Sequence, residues 1–262
     1  MSYAKAHDAR SYIGRIGWSA GAAALALLLT AVTACAGITH EIQILVESGG
    51  RSGMARFVLP ESAGNGAGDY DWTAQIDAAG LVVRDSTSAP LATIRALDCV
   101  IREDPAVKLN FWITADATDT LITITAPTVS FAPLTTPQVY ASAALTLTDN
   151  NANGATATGA FPGGMVYQAT YNGGTVWTNL IGSATAPASA STTSRDRLPV
   201  LPTIYNDLGA TVSSIAAQYQ FTLSAYDSAS GTSRFEVVPV PEPATLALLA
   251  VGLGAMVWGR RR

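Results

Sequence analysis

Histidine and cysteine are nearly missing from this 262-residue chain, which has two of each. His7 and His40 both lie near the N-terminus. A Ser-His-Asp or Cys-His catalytic group would therefore draw its base from a stretch expected to fray, where such chemistry cannot be positioned. Zinc centres built from Cys and His lack ligands for the same reason. Charge is sparse too, at 13% of residues. Between residues 37 and 240, nine basic side chains stand against seventeen acidic ones, a net of −8, and in the second half only Arg195 and Arg197 are close in sequence. An acidic surface with no basic stripe argues against nucleic acid and against anionic headgroups as partners. Cys99, between Leu97 and Val100 in an apolar run, reads as a buried hydrophobe rather than a reactive thiol. No repeat on the order of 20–50 residues occurs, which excludes solenoids and propellers.

What the middle of the chain does contain is strand pattern. Val107, Leu109, Phe111 and Ile113 alternate with Lys108, Asn110, Trp112 and Thr114; Tyr219, Phe221, Leu223 and Ala225 alternate with Gln218, Gln220, Thr222 and Ser224. A period of two places one face on a core and the other toward water. Residues 42–47, 55–59, 72–76, 81–84, 121–125, 139–148, 155–161, 165–171, 176–180 and 232–238 are further strand candidates, rich in Val, Ile, Thr, Tyr and Phe. Gly-containing turns such as Asn153-Gly154, Pro162-Gly163-Gly164 and Asn172-Gly173-Gly174 separate them. The pattern predicts an all-β domain over 37–239: a two-sheet antiparallel sandwich, jelly-roll or Ig-like. Residues 91–101 read as a short helix, and the small, polar run 183–193 as a flexible loop.

The two ends differ from this body. Lys5, Arg10 and Arg15 precede an eleven-residue apolar core, Ala22 to Val32, and the small residues Thr33-Ala34-Cys35-Ala36 follow. That order predicts a signal peptide over 1–36, the substrate of a Sec translocon and signal peptidase. Val32-Thr33-Ala34-Cys35 resembles a bacterial lipobox, which implies lipidation at Cys35; the alternative is cleavage at an ordinary small-x-small site. At the other end, Pro241-Glu242-Pro243 precedes fifteen uncharged, mostly apolar residues, 244–258, and then Gly259 and Arg260-Arg261-Arg262. A helix of fifteen residues rises about 22 Å, short of a hydrocarbon core of about 30 Å. Snorkelling arginines recover part of the difference. A membrane helix over 244–259 would thus be a marginal, removable anchor, with its arginines on the cytoplasmic side.

Taken together, the tripeptide, the apolar segment and the basic end resemble the PEP-CTERM sorting signal of Gram-negative bacteria. The resemblance covers residues 240–262 and implies an exosortase-type sorting enzyme as partner, with Pro241-Glu242-Pro243 as recognition site and Arg260-Arg262 as stop. It further implies a transient inner-membrane intermediate, then the cell surface or the extracellular matrix, in company with exopolysaccharide or biofilm material. The expectation for the body is a non-enzymatic structural protein without cofactor.

Two other readings rest on side chains in the body. Trp72, Trp112 and Trp177 offer stacking faces for sugar rings, as in a carbohydrate-binding module, and Trp112 falls on the polar side of its strand. Asp69 and Asp71, flanking Tyr70, are the carboxylates a glycoside hydrolase would use. Separately, Asp149, Asn151 and Asn153 before Gly154 fit the opening of an EF-hand calcium loop. The twelfth position is Ala160 where a bidentate glutamate is needed, so a polar hairpin connection is the plainer account.

Overall fold

A computed structural model of the chain describes residues 40–60, 63–64, 69–102 and 104–240. The predicted signal peptide with Cys35, the membrane helix, Pro241-Glu242-Pro243 and Arg260-Arg262 lie outside the described residues.

All regular structure among the described residues is β, in two antiparallel sheets. The first sheet, A, orders its main strands as β12 (Thr175–Gly182), β11 (Met165–Tyr171), β16 (Val212–Leu223), β7 (Thr120–Thr125), β1 (Glu41–Ser48) and β2 (Arg51–Val58). To β16 it adds β8 (Val129–Leu134) and β10 (Ala155–Gly159), and β13 (Ala184–Ala186) pairs with β10. The second, B, runs β14 (Ser191–Leu198), β9 (Gln138–Thr148), β17 (Ser228–Val238), β6 (Ala106–Ala115), β5 (Pro90–Arg102) and β3 (Tyr70–Thr73). At its margins β15 (Asn206–Asp207) pairs with β9 and β4 (Leu81–Arg84) with β5.

Alternation produces the sandwich. In β9, Val139, Ala141, Ala143, Leu145 and Leu147 are buried, while Tyr140, Ser142, Ala144, Thr146 and Thr148 form the half-buried outer row. Ile42, Ile44 and Val46 of β1 and Ile122 and Ile124 of β7 supply the facing layer. At the centre the Phe111 ring meets Tyr219 edge-on at 4.9 Å. Gly231 of β17, opposite Phe111, makes room for that ring: a Cβ there would lie 2.3 Å from Phe111 Cε1. Tyr219 spans the sheets, its hydroxyl donating to the Thr232 carbonyl at 2.6 Å.

Two segments depart from expectation. Residues 91–101 form the middle of β5, not a helix. A register shift between Ile94 and Ala96 explains the misleading pattern, because a bulge adds one residue and changes which side faces in. Leu91, Ile94 and Leu97 are consequently all buried, at a spacing of three that imitates a helix face. The run 183–193 is likewise not a loop: it contains β13 and the start of β14. β13 and the first residues of β14 are small, and β14 is an edge strand whose outer Thr193 and Ser191 share hydroxyl bonds of 2.8 Å with Thr146 and Thr148. Because no large apolar side chain is required there, the residues carry no hydrophobic periodicity.

Candidate functional site

The outer face of sheet B collects the groups able to recognise a partner. Register alignment makes it a grid. Lys108, Arg234, Ser142 and Arg197 form one cross-strand row, on β6, β17, β9 and β14. Asn110, Thr232, Ala144 and Arg195 form the next. Trp112, Ser230, Thr146 and Thr193 follow, then Thr114, Ser228, Thr148 and Ser191. Neighbouring strands are about 4.8 Å apart, so side chains from residues distant in sequence stand side by side. Four of the nine cations of the body thus share two adjacent rows. This corrects the expectation that no basic cluster exists: Lys108 and Arg234 are remote from Arg195 and Arg197 in sequence, and only the strand order unites them.

A cleft of about 520 Å³ opens among these cations, with Ser142, Ala144 and Thr232 in its lining beside Arg195, Arg197 and Arg234. Arg197 is fixed: its Nε donates to Pro199 O at 3.3 Å and its guanidinium lies 5.9 Å from the Tyr140 ring centroid. Arg234 pairs with Glu236, which also accepts from the Tyr205 hydroxyl at 2.8 Å. That hydrogen bond, more than burial, raises the Tyr205 hydroxyl pKa.

Farther along the same face, Trp112 is 48% exposed. It borders a groove of about 300 Å³ with Thr148, Asn150, Ser228 and Ser230. Asn150 is held in place by its own amide, donating to Ser228 Oγ at 2.7 Å and to Tyr226 O at 3.0 Å. The other two tryptophans do not join this surface. Trp72, paired with buried Cys99 in register, is half-buried and meets Phe57 edge-on at 5.9 Å. Trp177 stacks on Phe235 at 5.6 Å and 12° from the opposite sheet. Both pack on the core cluster, so the expected three-ring platform reduces to Trp112.

The loop 149–154 links β9 of sheet B to β10 of sheet A, and so is an inter-sheet connection rather than a hairpin. Its oxygens serve the backbone. Asp149 accepts from the amides of Ser189 and Asn151, and Asn151 Oδ1 from Asn153 N at 3.3 Å. Burial raises the Asp149 pKa, but the backbone donors outweigh it and hold the group below its ordinary value. Beneath the loop, the fully buried Asp227 accepts from Asn150 N at 3.2 Å and from the Ser224 hydroxyl. No group of three or more His, Cys, Asp or Glu side chains suited to a metal occurs among the described residues.

The remaining candidates are scattered. His40 is not frayed: it is 8% exposed, its carbonyl accepts from Leu59 N at 2.8 Å, and its ring meets Tyr70 at 4.7 Å. Burial lowers its pKa. Asp71 faces solvent, 3.6 Å from Arg102. Cys99 is a free, buried thiol whose pKa burial pushes up to about 12, in keeping with the structural role read from its neighbours.

The described body is therefore a two-sheet antiparallel sandwich with one decorated outer face. Beyond it, residues 239–262 match the PEP-CTERM protein-sorting motif. The motif at the C-terminus implies an exported protein, processed by exosortase through a membrane-anchored intermediate. No curated protein matches the chain. A solved structure described as "Structure of infectious bursal disease virus Gx strain" is similar at 13% identity, over 79% of this chain, with a TM-score of 0.29. The chain spans about half of that structure's length (53%), and so weak a superposition carries no argument.

Proposed function

We propose that the protein is a structural, non-enzymatic component of the cell surface or extracellular matrix, delivered there by its sorting tail. The match of residues 239–262 to the sorting motif carries this reading. The body is consistent with it: its one described histidine is packed into the fold, and two of its buried carboxylates, Asp149 and Asp227, are engaged by amide and hydroxyl donors of the loops. Replacing Glu242 with Ala tests the delivery step. Unprocessed protein should accumulate in the membrane fraction, and processing at the rate of the parent chain would overturn recognition through the tripeptide.

A second reading, a module that holds matrix polysaccharide, is favoured by Trp112, among the described residues the one exposed tryptophan, above a groove of hydroxyl and amide groups. Sugar rings would stack on the indole while Asn150, Ser228 and Ser230 meet their hydroxyls. In affinity electrophoresis against matrix polysaccharide, Trp112→Ala should lose about 1 kcal/mol or more of stacking, several-fold in affinity. Retardation equal to the parent's would remove Trp112 from any such role.

A further inference from the structure

The segment 199–205 between β14 and β15 exposes three aliphatic side chains: Val200 at 68%, Leu201 at 65% and Ile204 at 61%. Clustered exposed apolar residues on an otherwise polar surface mark a contact site. The segment is a built projection, because both of its ends are tied to the sheet. Arg197 Nε donates to Pro199 O and its Nη2 donates to Thr203 O at 3.5 Å, while Tyr205 is bonded to Glu236 and meets Tyr140 at 6.2 Å. Val200 also lines the cleft that holds Arg195, Arg197 and Arg234. An aliphatic tip and a cationic cleft are therefore contiguous.

Their position in the sheet is the second observation. Leu198 lies opposite Ala141, Asn206 opposite Val139, and Val238 opposite Gln138. The projection and the last residue of β17 thus meet at the same end of β9, and the sorting motif begins at residue 239, immediately after β17. The body is tethered to the bilayer at the end that carries the projection.

From this juxtaposition we infer that this end of sheet B is a bilayer-contacting surface. Val200, Leu201 and Ile204 enter the boundary between headgroups and acyl chains, and the three arginines bind phospholipid phosphates beside them. The inference rests on the membrane-anchored intermediate that the tail implies. Guanidinium forks match phosphate oxygens, and apolar side chains next to cations are the composition of surfaces that lie in a membrane interface. Neighbouring carboxylates leave the arrangement intact. Glu236 is engaged by Arg234 and Tyr205, Asp207 by the Gln138 amide at 3.0 Å, and Asp196 accepts from the Arg197 amide at 2.7 Å. Asp98 sits on β5 and Asp71 on β3, toward the other margin, while Asp104, on the β5–β6 turn, shares the end of the sheet at which Val237 N donates to Pro105 O at 2.8 Å, two strands away from β9. A carboxylated polysaccharide would answer the arginines but would have no use for three aliphatic tips, so the bilayer is the better-matched occupant. The net acidity of the body argues against anionic headgroups; between β6 and β14 the four cations of two adjacent cross-strand rows offset it locally.

The test uses the full chain in proteoliposomes, read by flotation and by amide hydrogen exchange. In vesicles containing phosphatidylglycerol, residues 199–205 should exchange roughly tenfold more slowly than in detergent, with a smaller effect in pure phosphatidylcholine. The Val200→Ser/Leu201→Ser/Ile204→Ser variant should lose the protection while exchange in β9 and β17 stays as in the parent, and Arg195→Gln should narrow the gap between the two lipid compositions. Protein that floats with vesicles yet shows the same exchange at 199–205 in detergent and lipid overturns this inference alone. Failure to float overturns the anchored reading and this surface with it. Protection conferred by a soluble polyuronate without vesicles assigns the cleft to a glycan and overturns the bilayer contact.

Discussion

Tyr219 and Tyr167 make a matched pair on which the packing of the sandwich can be measured. Both are fully buried, on neighbouring strands of sheet A, with rings 5.1 Å apart. Their hydroxyls differ in one respect. Tyr219 donates to Thr232 O at 2.6 Å, with Ala144 O 3.4 Å away, whereas the Tyr167 hydroxyl and its neighbour Ser233 Oγ do not meet in hydrogen-bond geometry with each other or with any other group. Ser233 is nonetheless near enough to work against the rise that burial gives the Tyr167 pKa. A buried hydrogen bond contributes a net stabilisation of about 1 kcal/mol, and an unpaired buried hydroxyl costs about 1–3 kcal/mol. Tyr219→Phe should therefore destabilise by about 1 kcal/mol, lowering Tm by about 2–4 °C in a body of this size. Tyr167→Phe should leave Tm unchanged or raise it. Thermal melts of both variants followed by near-ultraviolet circular dichroism decide the matter. Equal losses in the two would mean that Tyr167 and Ser233 do bond in solution, and the argument from geometry would fail. Because Thr232 and Ala144 line the cationic cleft, Tyr219→Phe should also speed amide exchange along that part of β17 and β9.

Burial sets two further outcomes. With its pKa pushed up to about 12, Cys99 should resist a thiol reagent at pH 8 in the native protein and react on unfolding; prompt labelling of the folded chain would refute its burial. For His40 the lowered pKa fixes the sign: above the unfolded value of about 6.5 both states are neutral and stability is complete, while below it the unfolded chain binds the proton first and stability falls. Urea titrations below that pH should show the loss diminished in His40→Phe, and an identical acid sensitivity in that variant would place the responsible group elsewhere.

Strand identity was readable wherever a strand lies flat between core and water. The four-residue alternation of Val107, Leu109, Phe111 and Ile113 is reproduced by burial in β6, and it put Trp112 on the correct face. Reading failed where one of the physical conditions failed. The bulge in β5 broke the period of two, and β14, an edge strand facing mostly solvent, has an apolar residue only at its end, Leu198. The site was less legible than the fold for a related reason. A cation cluster assembled across β6, β17, β9 and β14 has no sequence signature, since Lys108 and Arg197 are brought together only by strand order. Trp72 and Trp177 are as aromatic as Trp112 in the sequence, and only the sheet margin against which each packs turns them inward.

Strand order also gives the outer face of sheet B a polarity. The aliphatic projection and the exit of the tail lie beside Gln138, and the Trp112 row crosses β9 at Thr146, eight residues along. At the rise of an extended strand that is about 27 Å from the exit of the tail, but only about 7 Å from the row of Arg195, which crosses β9 at Ala144. Phosphates held by Arg195 would thus lie within about one Debye length, about 8 Å, of the Trp112 row and would disfavour an anionic ligand there before release, while the carboxylates of the loops around Asp149 and Asp227, beyond that row, would stand clear of anionic lipid. The net acidity of the body and a basic, apolar contact at its tethered end are therefore compatible. The body can rest on the membrane by one end of the sheet before release and keep the groove on the same face turned outward.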